Sequence, residues 1–247
     1  MGLFDFLSKA PTAKKVEKAT GRMLNEHHQV QVRQEAIDEL VSYGTPDALG
    51  GLIKRLGVNF RDTIKNEQEK RQITQILVDR FGEESIEPLA AFIRTDQTIS
   101  AAIRTLARLV PADRLVGILT GVLGTYEPKD HRSIDAKLQL VDALNDFDDA
   151  RVVPAVLRHA MDHDDDVRVK VIDLLEARVR PGHAQWEATV EMLVKVVRDP
   201  EASGRITRRA ADALMRTEAD LSADAEGLAE FLPDGYRVDE AGHLKAG

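Results

Sequence analysis

The sequence predicts an all-α protein, an α-solenoid of about six helical-hairpin repeats that ends in a small β-hairpin-like tail. Three observations predict it. A nine-residue block recurs six times in 247 residues, its apolar positions follow the period of a helix, and strand patterning is nearly absent through residue 230. The blocks are VRQEAIDEL, EKRQITQIL, TISAAIRTL, AKLQLVDAL, VRVKVIDLL and ITRRAADAL, closing at Leu40, Leu77, Leu106, Leu144, Leu175 and Leu214. Their intervals of 37, 29, 38, 31 and 39 residues fit one supersecondary unit each.

Within a block the fifth and ninth residues are aliphatic or Ala, an i, i+4 pair on one helix face. A turn and a second amphipathic segment follow. Gly44-Thr45-Pro46-Asp47 leads to Leu49, Leu52, Ile53 and Leu56, and Gly82-Glu83-Glu84 leads to Ile86, Leu89 and Ile93. Pro111-Ala112-Asp113 precedes Leu115, Ile118, Leu119 and Val122, and the acids between 146 and 149 precede Val153, Val156 and Leu157. Pro181-Gly182 precedes Val190, Leu193, Val194 and Val197, while Leu214 pairs with Leu228 and Leu232. Pro and Gly stop the first helix of a unit, and Asp, Ser or Thr is expected to cap the second. Neither helix can bury its stripe alone, so neighbouring units are expected to stack. Tyr236-Arg237-Val238, a turn over 239–242 and His243-Leu244 predict a hairpin. The expected organisation is an amphipathic, basic segment over 1–26, repeats over 27–232 and a tail over 233–247.

Composition supports a cytoplasmic protein with an aliphatic core. Apolar residues are 43% and aromatics 4%, and no apolar run approaches the length of a membrane span. With no cysteine, disulfides and thiolate metal sites are excluded. A formal charge of −8, from 42 acidic and 34 basic residues, disfavours duplex nucleic acid as a partner.

Asp164-Asp165-Asp166-Val167-Arg168-Val169-Lys170-Val171-Ile172-Asp173-Leu174-Leu175 resembles the HEAT-repeat family, in which an acidic loop leads into Val-Arg and a helix closing in Leu. Ala150-Arg151-Val152-Val153-Pro154-Ala155-Val156-Leu157 and Ile86-Glu87-Pro88-Leu89 resemble the second helix of such a repeat. The resemblance covers roughly 27–215 and implies a non-catalytic scaffold that docks a partner protein in a concave groove. It also brings alternatives. Family members that bind di-iron use repeated His-Glu dyads; this chain has no His-Glu dipeptide, so deoxyhypusine hydroxylase chemistry is set aside. Alkylbase DNA glycosylases and bilin lyases are the enzyme alternatives, although one Trp and three Tyr leave few aromatics to line either site.

No residue pattern predicts a catalytic site, a metal site or a cofactor. Asp162, Asp164 and Asp166 match alternate positions of a calcium loop, but Val167 stands where its sharp turn requires Gly, so helix capping is expected instead. His159 and His163 have i, i+4 spacing without an HExxH glutamate and read as turn histidines. Gly117, Gly121 and Gly124 read as close-packing positions.

If second helices line a groove, its polar positions carry Lys54, Arg55, Arg94, Arg151, Arg158, Lys195 and Arg198, a basic surface suited to an acidic peptide or helix. Residues 1–18 hold Leu3, Phe4, Phe6 and Leu7 followed by Lys9, Lys14, Lys15 and Lys18. Two readings stand for them, an apolar cap on the first repeat and an anchor on a membrane surface.

Overall fold

The structure is a computed structural model that describes residues 11–247, so the readings of Leu3, Phe4, Phe6, Leu7 and Lys9 lie outside the described residues. It is mostly helical, and the sheet present among the described residues is a two-stranded hairpin. None of the helices described is long and apolar enough to cross a membrane. The chain divides into two compact units, Met1–Leu115 and Val116–Gly247.

The first unit holds α1 (Ala13–Leu24), α2 (Val30–Tyr43), α3 (Pro46–Lys54), α4 (Thr63–Ile76), α5 (Ile86–Thr95) and α6 (Ser100–Leu106). The blocks closing at Leu40 and Leu106 lie on α2 and α6. That closing at Leu77 runs from α4 into a π-helical stretch, Leu77–Phe81. At the end of α2, Gly44 takes the left-handed conformation (φ 61°) that lets its N–H reach the Leu40 carbonyl. Thr45 then accepts from the Ala48 amide and Pro46 opens α3. α1 falls within the segment 1–26 that was expected to precede the repeats. Val16, Ala19 and Met23 share one face of α1 and are buried, because α1 packs against α2 and α3. α3 also packs against α5.

α7 (Ala112–Leu123) contains the boundary between the units. The second unit continues with α8 (Ile134–Leu144), α9 (Val152–Leu157), α10 (Asp165–Arg178), α11 (Trp186–Val197), α12 (Gly204–Thr217) and α13 (Ala225–Ala229). The last three blocks lie on α8, α10 and α12, and α10 packs against both of the others. Leu140, Leu144, Val171, Leu175 and Leu214 are buried, as the i, i+4 pattern requires. Strands β1 (Tyr236–Val238) and β2 (Leu244–Ala246) pair antiparallel, Val238 opposite Leu244, so the tail is the hairpin that its sequence predicts. Buried Leu244 and the Tyr236 hydroxyl, 2.5 Å from Asp212 Oδ1, fasten it to the unit.

Two local expectations are corrected. Side-chain caps do not mark second helices as a rule: α5, α9, α11 and α13 have none, whereas α4, α10 and α12 begin at Asp62, Asp164 and Ser203. The glycines of α7 are not close-packing positions, because a Cβ on Gly121 would meet nothing within 4 Å and one on Gly117 only the Arg151 guanidinium. The acidic loop does cap a helix. Asp164 Oδ1 accepts from the amides of Asp166 and Val167 at 3.0 and 3.1 Å. Asp164→Ala is therefore expected to cost about 1 kcal/mol in chemical denaturation, and an unchanged midpoint would contradict the cap.

Candidate functional site

The second, fifth and ninth positions of a block are three and four residues apart, so they share a helix face. In four blocks that second position is a cation: Arg33, Lys70, Lys137 and Arg168. All four are buried. A buried cation requires an acceptor, and each finds one in a loop or a neighbouring block. Arg33 donates to Glu69, Lys70 to Asn59 Oδ1 at 2.6 Å, Lys137 to Asp162 Oδ2 at 2.6 Å, and Arg168 meets Asp199 Oδ2 at 2.9 Å. A charge on the face that periodicity assigns to the core was legible in the sequence and is the signal that the sequence reading passed over.

One of these pairs gathers more groups than pairing requires. Lys137 and Asp162 have fully buried side chains, and Lys137 Nζ also donates to the Glu127 carbonyl at 3.3 Å. The short helical turn after α9 brings His159 Nδ1 to 3.4 Å from Asp162 Oδ2. On the other side His163 Nδ1 lies 3.2 Å from Asp162 Oδ1 and 2.7 Å from the Pro128 carbonyl. The Asp164 amide donates to Asp162 Oδ1 at 3.1 Å, which shapes the loop that leads into the cap. Burial pushes the Asp162 carboxyl up, but hydrogen bonds from His159, Lys137 and the Asp164 amide outweigh it and hold the carboxyl below the ordinary range.

The His163 tautomer follows from its neighbours. Nδ1 faces two acceptors, a carboxylate and a carbonyl, so it carries the proton and Nε2 carries the lone pair. His163 Nε2 is buried without a hydrogen-bond partner, and the His131 ring packs edge-on against the imidazole, 3.7 Å between centroids. Asp162 and His163 line a cavity of about 730 Å³ together with Glu127, Asp165, Arg168 and Glu201. That volume suits a small molecule. Among the described residues no three His, Asp or Glu side chains are placed to hold a metal ion, and no step is derived through one.

Most of the cations expected on a basic surface have partners within the chain. Arg55 is fully buried, pairs with Glu69 at 3.1 Å and stacks on the Phe60 ring, so it is a core residue. Arg151 and Arg158 flank the six-residue α9. Arg151 pairs with Asp149 at 2.6 Å, and Arg158 donates to the carbonyls of Gly124 and Tyr126. Lys195 pairs with Glu191 at 2.8 Å and Arg198 with Asp224 at 3.1 Å. Lys54 and Arg94 are exposed, at the ends of α3 and α5. Acidic residues close in the chain or in the next loop neutralise most of the set, which a reading of cations alone did not weigh.

No family model matches the chain, and no curated protein does. A solved structure that it resembles is human deoxyhypusine hydroxylase in complex with glycerol, at 15% identity and a TM-score of 0.34, over 87% of this chain and 90% of that one. That protein's name is an enzyme's, so the comparison gives no support to the expectations of a non-catalytic scaffold and of no enzymatic role. At 0.34 the likeness assigns no residue and no activity to this chain.

Proposed function

We propose that the chain is a HEAT-like α-solenoid carrying an acid–base catalytic site, with His163 as the general base and Asp162 as the group that orients it. The solenoid reading is supported by six blocks on six first helices, by the packing of α10 against α8 and α12, and by the recurrent buried cation. The catalytic reading rests on one observation: the His163 imidazole, which lines a cavity, is held through Nδ1 by Asp162 and the Pro128 carbonyl, so that Nε2 is left as the base. In such a dyad Nε2 takes a proton from an O–H, N–H or acidic C–H of a bound small molecule, once the side chains that cover Nε2 here give way to it. The buried carboxylate stabilises the imidazolium that forms, and Lys137 keeps that carboxylate ionised. Ionisable groups that converge beside a cleft, with the Asp162 carboxyl held low among them, are the physical setting in which acid–base chemistry is run.

His163→Gln tests this. Incubated with a mixed small-molecule pool, the wild-type protein is expected to change the pool by mass spectrometry and the variant to lose at least about a hundredfold of that rate, with its melting temperature as the check on folding. Long-range proton–nitrogen spectra should show His163 as the Nδ1–H tautomer at neutral pH. Turnover retained in the variant, or an Nε2–H tautomer, overturns the assignment.

A further inference from the structure

Ala13, Val16 and Leu24 of α1 and Pro46 of α3 line an open groove of about 600 Å³ in the first unit. No side chain fills it at Gly21 or Gly50, where an added Cβ would meet nothing within 4 Å. The charged residues along it are Glu17, Asp47 and Lys54, all exposed. α1 is the first helix among the described residues, and the end helices of a repeat stack have a neighbour on one side only, so they need a cover.

The chain that precedes α1 is beside this groove. Thr12 is extended (ψ 149°) and its side chain accepts from the Lys15 amide, so the helix starts there and the residues before it leave the helix axis. Ten residues precede Pro11. Fully extended they span at most about 35 Å, and α1 is about 18 Å long, so they can fold back along it. Four of the ten, Leu3, Phe4, Phe6 and Leu7, are large and apolar, spaced i, i+1, i+3 and i+4 as on one helix face. The charges among them, Asp5 and Lys9, have complements in Lys54 and in Glu17 and Asp47. Those two acids also disfavour the other reading of this segment, in which α1 lies against an anionic membrane.

We propose that residues 1–10 occupy the groove, with Leu3, Phe4, Phe6 and Leu7 laid against Val16, Leu24 and Pro46. A tethered segment has an effective concentration on the order of millimolar, so it excludes the same segment of a second molecule. The groove lies wholly in the first unit, and the inference stands apart from the acid–base reading of the second.

The test uses the full chain. Nuclear Overhauser contacts are expected from the Phe4 and Phe6 rings to the methyl groups of Val16 and Leu24, equally in dilute and concentrated samples. Gly50→Leu puts a side chain into the open groove and should abolish them. Phe4→Ser with Leu7→Ser should abolish them too and lower the melting temperature by about 4 °C or more. If that double variant fails to fold, the contacts in the wild-type protein and their loss in Gly50→Leu decide. Contacts absent from the wild-type protein overturn the inference. Contacts found only between labelled and unlabelled molecules of a mixed sample assign the groove to a second copy and overturn it as well. The third overturning result is sedimentation with phosphatidylserine vesicles that the double variant loses at an unchanged melting temperature, which makes the segment a membrane anchor.

Discussion

Glu69→Gln is expected to destabilise the first unit by about 3–5 kcal/mol, more than any surface substitution there. Glu69 is 7% exposed, and its two oxygens each accept from a buried guanidinium, Arg33 on one and Arg55 on the other. Both guanidiniums also face the Phe60 ring, at 5.1 and 3.8 Å from its centroid. The amide keeps the shape of the side chain but removes the charge, so two cations remain together in a dry environment with one ring face between them. The stabilisation given up is the attraction of a charge already desolvated on folding. Chemical denaturation followed by circular dichroism measures it. Glu67→Gln is the control, because Glu67 is half exposed, lies 3.8 Å from Arg104 and should change stability by less than about 0.5 kcal/mol. Equal effects of the two substitutions would show that Glu69 is not the keystone of a buried network.

Lys137→Met should cost a similar amount, about 3–5 kcal/mol at neutral pH, because it strands the Asp162 carboxylate at full burial. Its pH dependence has a definite sign. In the wild-type protein Asp162 titrates below its ordinary value of 3.8, so its contribution to stability is fully present above that value. It is lost as pH falls through the depressed folded value, when the carboxyl must take a proton against the hydrogen bonds from His159, Lys137 and the Asp164 amide. In the variant the carboxyl prefers the proton, so the stability gap between the two proteins should narrow on acidification, from the variant's raised folded value down through the depressed value of the wild type. A gap that widens on acidification would contradict the ion pair. Replacing both partners, as Lys137→Met with Asp162→Leu, should recover much of the loss, because no uncompensated charge is then buried. The double variant should nonetheless lose turnover, since His163 no longer has its orienting carboxylate.

These two pairs show where legibility ended. The helices that carry the six blocks, those that follow them, and the terminal hairpin follow from apolar spacing and turn residues that act over a few positions. Leu144 and Leu175 are buried because a Leu closing an i, i+4 pair has no other face to occupy. The helix over Ala13–Leu24 was concealed by its lysines, whose charge suggested a detached basic segment. The spacing of Val16, Ala19 and Met23 was the better guide, because long cationic side chains leave the opposite face of a helix free to pack.

The site was less legible. The Asp162–Asp166 run was rightly read as a cap through Asp164, but its first member turns inward, and sequence spacing does not distinguish those two fates. Lys137 lies 25 residues from Asp162, and Pro128 lies 35 from His163. The sequence by itself determined which segments are helices, which faces are apolar, and that cations at the second block position would be drawn to the core side. The tertiary structure alone decided which acceptor each cation meets. It placed Arg55 in the core instead of on a surface and paired most of the remaining cations within the chain. The physical reason is range. Helix formation and capping are settled within about four residues, whereas a charge is paired by whichever opposite charge the packing of distant helices brings within hydrogen-bond reach.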